Sequence, residues 1–144
     1  MNMHRYPELM IRPMRDELTA LGAQQLRRPE DVDAFVAASQ GRTAMLVVNS
    51  TCGCNASTLR PALRAAFGRV RPDTFGTVFA GADLEATARA RELFTGYPPS
   101  SPAVALFRDG RLVFMLERTQ IKGQEVDAVA AALVGALEKH GAAA

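Results

Sequence analysis

The run Thr43 to Asn49 (TAMLVVN) constrains this chain more than any other stretch. It is almost continuously apolar and carries β-branched residues. Such a run reads as a buried central strand. It ends in a polar turn, Asn49-Ser50-Thr51, and helical spacing takes over directly after Cys52.

The flanking patterns complete a layout. Tyr6 to Leu21 carries Leu9, Met10, Met14, Leu18 and Leu21 at helical spacing, with Pro13 expected to kink or split the helix. Pro29-Glu30-Asp31 opens a second helix with proline early and acids in the first turn. Its apolar face is Val32, Phe35 and Val36, and it stops near Gly41. After the central strand, Leu59, Leu63, Ala66 and Phe67 mark a helix ending at Gly68. Thr74 to Ala80 is a second strand and Asp83 to Phe94 a helix with an aspartate at its start. Thr95 to Pro102 is a loop rich in Gly, Pro and Ser. Ala103 to Phe107 and Leu112 to Leu116 form a hairpin around Asp109-Gly110. Gln124 to His140 is the last helix, with Val126, Val129, Leu133 and Leu137 inward. The order α-α-β-α-β-α-β-β-α predicts an α/β fold of thioredoxin-like layout. About four strands form a central mixed sheet flanked by helices, preceded by an N-terminal helical extension.

A chain of 144 residues that is 48% hydrophobic and 22% charged supports one core without staples. We expect a single domain over 1–144, with N-terminal helices to about 41, the core at 42–140 and a frayed tail at 141–144. A net charge of +2 gives no bulk argument for nucleic acid. No apolar run approaches the roughly 18 residues of a membrane span, and Met1 to Arg15 lacks the apolar stretch of a secretory signal. The two cysteines are too close to staple a fold. Their sparseness fits a reducing, cytoplasmic setting and chemistry over structure.

That chemistry centres on Cys52-Gly53-Cys54. At a strand-to-helix junction, free backbone N–H groups and the helix dipole stabilise a thiolate. A free thiol with pKa near 8.5 is only about 3% ionised at pH 7, and a helix N-terminus corrects this. Cys52, nearer the tip, is the expected attacking thiol. Residues two apart on a helix point to nearly opposite sides, so Gly53 is expected to adopt the backbone angles that bring the sulfurs together. A disulfide in so small a ring should be strained and readily reduced. No Asp or Glu occurs from Ala34 through Pro72, while Arg42, Arg60, Arg64, Arg69 and Arg71 do. These arginines either favour a thiolate and an anionic thiol substrate or merely solvate a helix face.

Other residues carry weaker signals. Ser101-Pro102 before the inner strand fits a cis-proline facing the cysteines, an ordinary turn proline being the alternative. Thr51 either donates to a sulfur or shapes the turn. Asp83 reads as a helix N-cap, Pro61 as a helix kink and Thr58 as an exposed helix residue. The two N-terminal helices either pack on the sheet or offer a homodimer face. His4 and His140 sit at the termini, far from obvious ligation of a metal by the two thiols.

Several of these motifs together resemble the bacilliredoxins. They are Asn49-Ser50-Thr51-Cys52-Gly53-Cys54 followed by Arg60-Pro61, and Arg12-Pro13-Met14-Arg15 near the start. They continue with Val78-Phe79-Ala80-Gly81, Asp83, Glu85-Ala86-Thr87-Ala88, Phe94-Thr95-Gly96 and Pro99-Ser100-Ser101-Pro102. The likeness covers nearly the whole chain. It implies a cytoplasmic thiol–disulfide oxidoreductase that removes bacillithiol from S-bacillithiolated client proteins, with disulfide isomerase activity plausible. Cys52 would attack the mixed disulfide, and Cys54 or a second thiol would resolve it. No cofactor is implied beyond bacillithiol, or another low-molecular-weight thiol, as co-substrate; neither nucleic acid nor membrane is an expected partner. Thr51, Gly53, Asn55, Arg60, Ser101 and Pro102 would shape the site or bind substrate. Thr51 stands where members carry Val, and Asn55 and Ser57 where they carry small apolar residues. Arg118-Thr119-Gln120-Ile121-Lys122-Gly123 replaces the usual Arg-His-x-Ile-Glu-Gly. Two other functions use the same cysteines: a metal or iron–sulfur binding module, and a non-catalytic redox switch.

Overall fold

A computed structural model describes residues 5–141; the expected frayed tail beyond Gly141, and His4, lie outside them. Five helices and five strands follow one another as α1 Glu8–Thr19, β1 Gln24–Gln25, α2 Pro29–Ala37, β2 Thr43–Asn49, α3 Arg60–Phe67, β3 Thr74–Phe79, α4 Leu84–Leu93, β4 Ala103–Arg108, β5 Arg111–Leu116 and α5 Val126–His140. The sheet order is β1-β3-β2-β4-β5. β2 runs parallel to β3 and antiparallel to β4, and β4 pairs with β5 as an antiparallel edge.

Every residue of β2 is buried, because helices cover both faces of the sheet. Met45, Val47, Val104 and Leu106 pack against Leu18 of α1, Leu63 of α3 and Leu133 of α5. Leu46, Val48 and Ala105 face the other way, onto Val32 and Phe35 of α2 and Ala86 and Ala90 of α4. The two N-terminal helices thus pack on opposite faces, although Leu9 and Met10 of α1 remain exposed. Among the described residues no helix is long and apolar enough to cross a membrane.

Three expectations change. The sheet has five strands rather than about four, because Gln24 and Gln25 pair with Gly76 and Thr77 of β3. Glutamines have little strand propensity, so this edge exists through pairing alone. Pro13 does not split α1, which runs uninterrupted through it. Its missing N–H leaves the Leu9 carbonyl unpaired, and Leu9 is 80% exposed, so water can serve that carbonyl. Ahead of α3, Asn55–Leu59 winds as a π-helical turn. Pro61 has no N–H for the carbonyl four residues back and would clash with it; the wider turn relieves both problems. It also turns Thr58 inward, so Thr58 is buried rather than exposed.

The hairpin follows its Asp-Gly signal. Asp109 and Gly110 have φ of 55° and 74°, the conformation that two-residue hairpin turns require.

Candidate active site

The end of β2 delivers the cysteines. Ser50 Oγ accepts from the Cys52 N–H at 3.1 Å, and the Asn55 N–H donates to the Cys52 carbonyl at 2.9 Å. These bonds fold the chain from strand into helix within a few residues. Gly53 and Cys54 already have helical conformation. Gly53 does so without the positive φ found at Gly81 or Gly96, and the two sulfurs still come together. A Cβ at Gly53 would meet nothing within 4 Å, so the residue keeps the approach to the sulfurs open.

Cys52 Sγ and Cys54 Sγ lie 2.6 Å apart, roughly half an ångström beyond the ~2.05 Å of a disulfide bond. Cys52 is half-buried, and Cys54 is only 9% exposed. Burial acts to raise the Cys52 thiol. The hydrogen bonds from the Cys54 thiol and amide, together with the Arg118 charge, outweigh it, so the Cys52 pKa falls below the ordinary thiol value. Burial and the neighbouring Cys52 sulfur push Cys54 up, and Arg118 offsets only part of this. The pair is therefore unequal: an accessible sulfur that ionises readily and a covered one that holds its proton.

Cys52 and Gly53 open onto a shallow depression of about 540 Å³, lined also by Tyr6, Thr51, Ser101, Arg91 and Arg118. The Ser101–Pro102 bond is cis, as anticipated. Ser101 reaches the depression, and Pro102 is buried behind it. Thr51 Oγ1 donates to the Tyr6 hydroxyl at 3.2 Å rather than to a sulfur.

Asn55 and Arg60, expected to shape the site or bind substrate, lie beneath it and outside the lining of the depression. Asn55 is fully buried; its Nδ2 donates to Asn49 Oδ1 at 2.6 Å and to the Ser50 carbonyl at 2.9 Å. Arg60 is also buried, donating to Asn49 Oδ1 at 3.2 Å and pairing with Glu17 at 3.1 Å. Both brace the strand-to-helix turn from behind. Part of the arginine cluster is already engaged within the fold. Glu17 of α1 neutralises Arg60 and sits 3.8 Å from Arg64, while Arg71 stacks on Phe67. The cation at the sulfurs is Arg118, just beyond β5. Sequence reasoning met Arg118 only as part of a departing loop; Tyr6 and Arg91 gave no signal.

Asp83 stands at the N-cap position of α4, yet its side chain makes no capping bond. It accepts from the Phe79 N–H at 3.0 Å and takes both arms of Arg15 at 2.9 Å. Among the described residues, no group of three or more His, Cys, Asp or Glu side chains is gathered as a metal site would need.

Solved structures share this architecture. Fasciola hepatica thioredoxin superposes with a TM-score of 0.60 at 16% identity, covering 81% of this chain and 98% of that one. Oxidised thioredoxin from Plasmodium falciparum gives 0.57 at 14% identity, covering 83% and 98%. Sequence similarity is far closer elsewhere. A bacilliredoxin of Salinibacter ruber is 50% identical over 137 residues, 94% of this chain and 81% of the relative. One from Koribacter versatilis is 48% identical over 136 residues, 94% and 93% of the two chains. The family model described as disulphide isomerase matches residues 6–141. A thioredoxin-like sheet, a close Cys52–Cys54 pair at a helix start and relatives that match nearly all of this chain agree, and this chain belongs to the bacilliredoxin family.

Proposed function

We propose that this protein is a cytoplasmic thiol–disulfide oxidoreductase that removes bacillithiol from S-bacillithiolated client proteins. The observation that carries this reading is the inequality of the two sulfurs. Cys52 is accessible and ionises readily, while its partner is covered and protonated. The names and coverage of its relatives supply the choice of thiol.

The steps balance as two exchanges. The Cys52 thiolate attacks the bacillithiol sulfur of the mixed disulfide. A Cys52–bacillithiol disulfide forms, and the client thiolate leaves and takes a proton from water. Cys54 then loses its proton and attacks Cys52 Sγ. Bacillithiol departs as a thiolate, and a Cys52–Cys54 disulfide remains. Two further low-molecular-weight thiols, themselves oxidised to a disulfide, return the pair to the dithiol. Ser101, before the cis-proline, lies at the depression where an extended client segment would reach Cys52. Asn55 and Arg60 act as supports of the turn, and Gly53 leaves the approach clear.

Mass spectrometry with an S-bacillithiolated client tests the assignment. Wild type should strip the adduct, Cys54→Ser should accumulate it on Cys52, and Cys52→Ser should carry none. Stripping by Cys52→Ser at the wild-type rate would overturn the reading. Catalytic turnover also separates an enzyme from a redox switch, which would stop at one equivalent.

A further inference from the structure

Arg91 lies in the last turn of α4. With Arg118 it lines both the depression over Cys52 and an adjoining one walled by Pro98, Pro99 and Ser100. The two arginines differ in what they face. Arg118 faces the sulfurs. Among the described residues, Arg91 has no carboxylate within ion-pair distance, and its Nε is buried without an acceptor. Arg15 and Arg60, the two fully buried arginines among the described residues, each hold a carboxylate, and the partly buried Arg108 donates to the His140 carbonyl. Glu117 is the carboxylate lining the adjoining depression, and it forms no ion pair with Arg91.

A partly buried guanidinium without a counter-charge is costly, and burial lowers its pKa accordingly. An anion entering the depression would recover that cost through charge-assisted hydrogen bonds, and a carboxylate fits the guanidinium fork in two-pronged fashion. The same depression holds the sulfur that accepts the small thiol.

We infer that Arg91 is a specificity residue, receiving a carboxylate of the small thiol while Cys52 takes its sulfur. This rests on the reading that Cys52 exchanges small thiols from mixed disulfides. Its ligand class is a thiol carrying a carboxylate or dicarboxylate group. Arg118 tunes the sulfur, and Arg91 selects what the sulfur receives.

The test uses one client protein prepared as three mixed disulfides, with bacillithiol, with mercaptosuccinate and with cysteamine. Release of each is followed for wild type, Arg91→Gln and Arg91→Lys. The ratio of kcat/KM for each anionic adduct to that for the cysteamine adduct should fall about tenfold in Arg91→Gln, the scale of a charge-assisted hydrogen bond in a partly screened site. The loss should appear in KM, and Arg91→Lys should recover part of it. Each variant is scored by a ratio, so partial unfolding lowers both rates and leaves the comparison intact. Ratios in Arg91→Gln equal to those of wild type would overturn the inference. A wild type inactive on the bacillithiol adduct would overturn the choice of bacillithiol. Arg91 would keep its role if the mercaptosuccinate ratio still fell.

Discussion

Cys52 and Cys54 share a turn of chain and differ in what surrounds each sulfur. Burial raises both. The Cys54 amide and thiol donate to Cys52, and the Arg118 charge adds to this, so only Cys52 ends below the ordinary value. The sign of the pH dependence follows. Only the thiolate reacts, so alkylation of Cys52 by iodoacetamide should rise with pH and level off at lower pH than for a free cysteine. Cys54 in Cys52→Ser should show a profile displaced the other way if its own burial dominates. Arg118 is exposed, so Arg118→Gln should leave the fold intact while moving the Cys52 profile to higher pH and slowing alkylation several-fold at pH 7. High salt should weaken the wild-type advantage by screening the same charge. A Cys52 profile identical in wild type and Arg118→Gln would assign the lowered pKa to Cys54 and the helix start alone.

Elements were legible in the sequence wherever the signal is local. The apolar run of β2, the Asp-Gly hairpin and the proline before β4 each announce themselves within a few residues. What stayed hidden depends on residues brought together from afar. Glu17 cancels Arg60 across more than forty positions of sequence, and Arg118 reaches cysteines from beyond the last strand. No window of composition contains such a pair. The close approach of α2 to β3 was hidden in the same way. A Cβ at Gly76 would lie 2.9 Å from Phe35 and 3.1 Å from Leu26, so the glycine lets helix and strand touch. Gly76→Ala must push the Phe35 ring out of a packed face, and we expect a loss of about 1–3 kcal/mol in chemical denaturation. Gly53→Ala meets open space and should change stability by less than about 0.5 kcal/mol. Equal losses at both positions would refute the packing account of Gly76, because the unfolded-chain effect of Gly→Ala is stabilising.

At the scale of the whole molecule, one partly buried ionic cluster joins segments that the sheet alone does not. Arg15 of α1 pairs with Asp83 ahead of α4 and with Glu8 at 2.8 Å, and donates to Gln25 of β1 at 3.2 Å. Arg27 reaches Asp83 at 3.1 Å and Glu8 at 3.4 Å. Two cations thus meet two anions, and the Asp83 carboxylate also accepts the Phe79 N–H at the end of β3. Nearby, the Tyr6 N–H donates to the Gly81 carbonyl, and the Tyr6 ring packs where a Gly81 Cβ would stand. The N-terminal segment is therefore anchored at the same rim as the cysteines. Asp83→Ala leaves Arg15, which is 3% exposed, without its main counter-charge, and we expect a loss of about 3–5 kcal/mol. Replacing both partners, Arg15→Met with Asp83→Leu, removes the stranded charge and should cost less than Asp83→Ala alone. A double-mutant cycle in urea measures that coupling. If the double variant instead loses the sum of the two single losses, the pair is not coupled. Each side chain would then stabilise the fold through its other partners: Glu8 and Gln25 for Arg15, Arg27 and the Phe79 amide for Asp83.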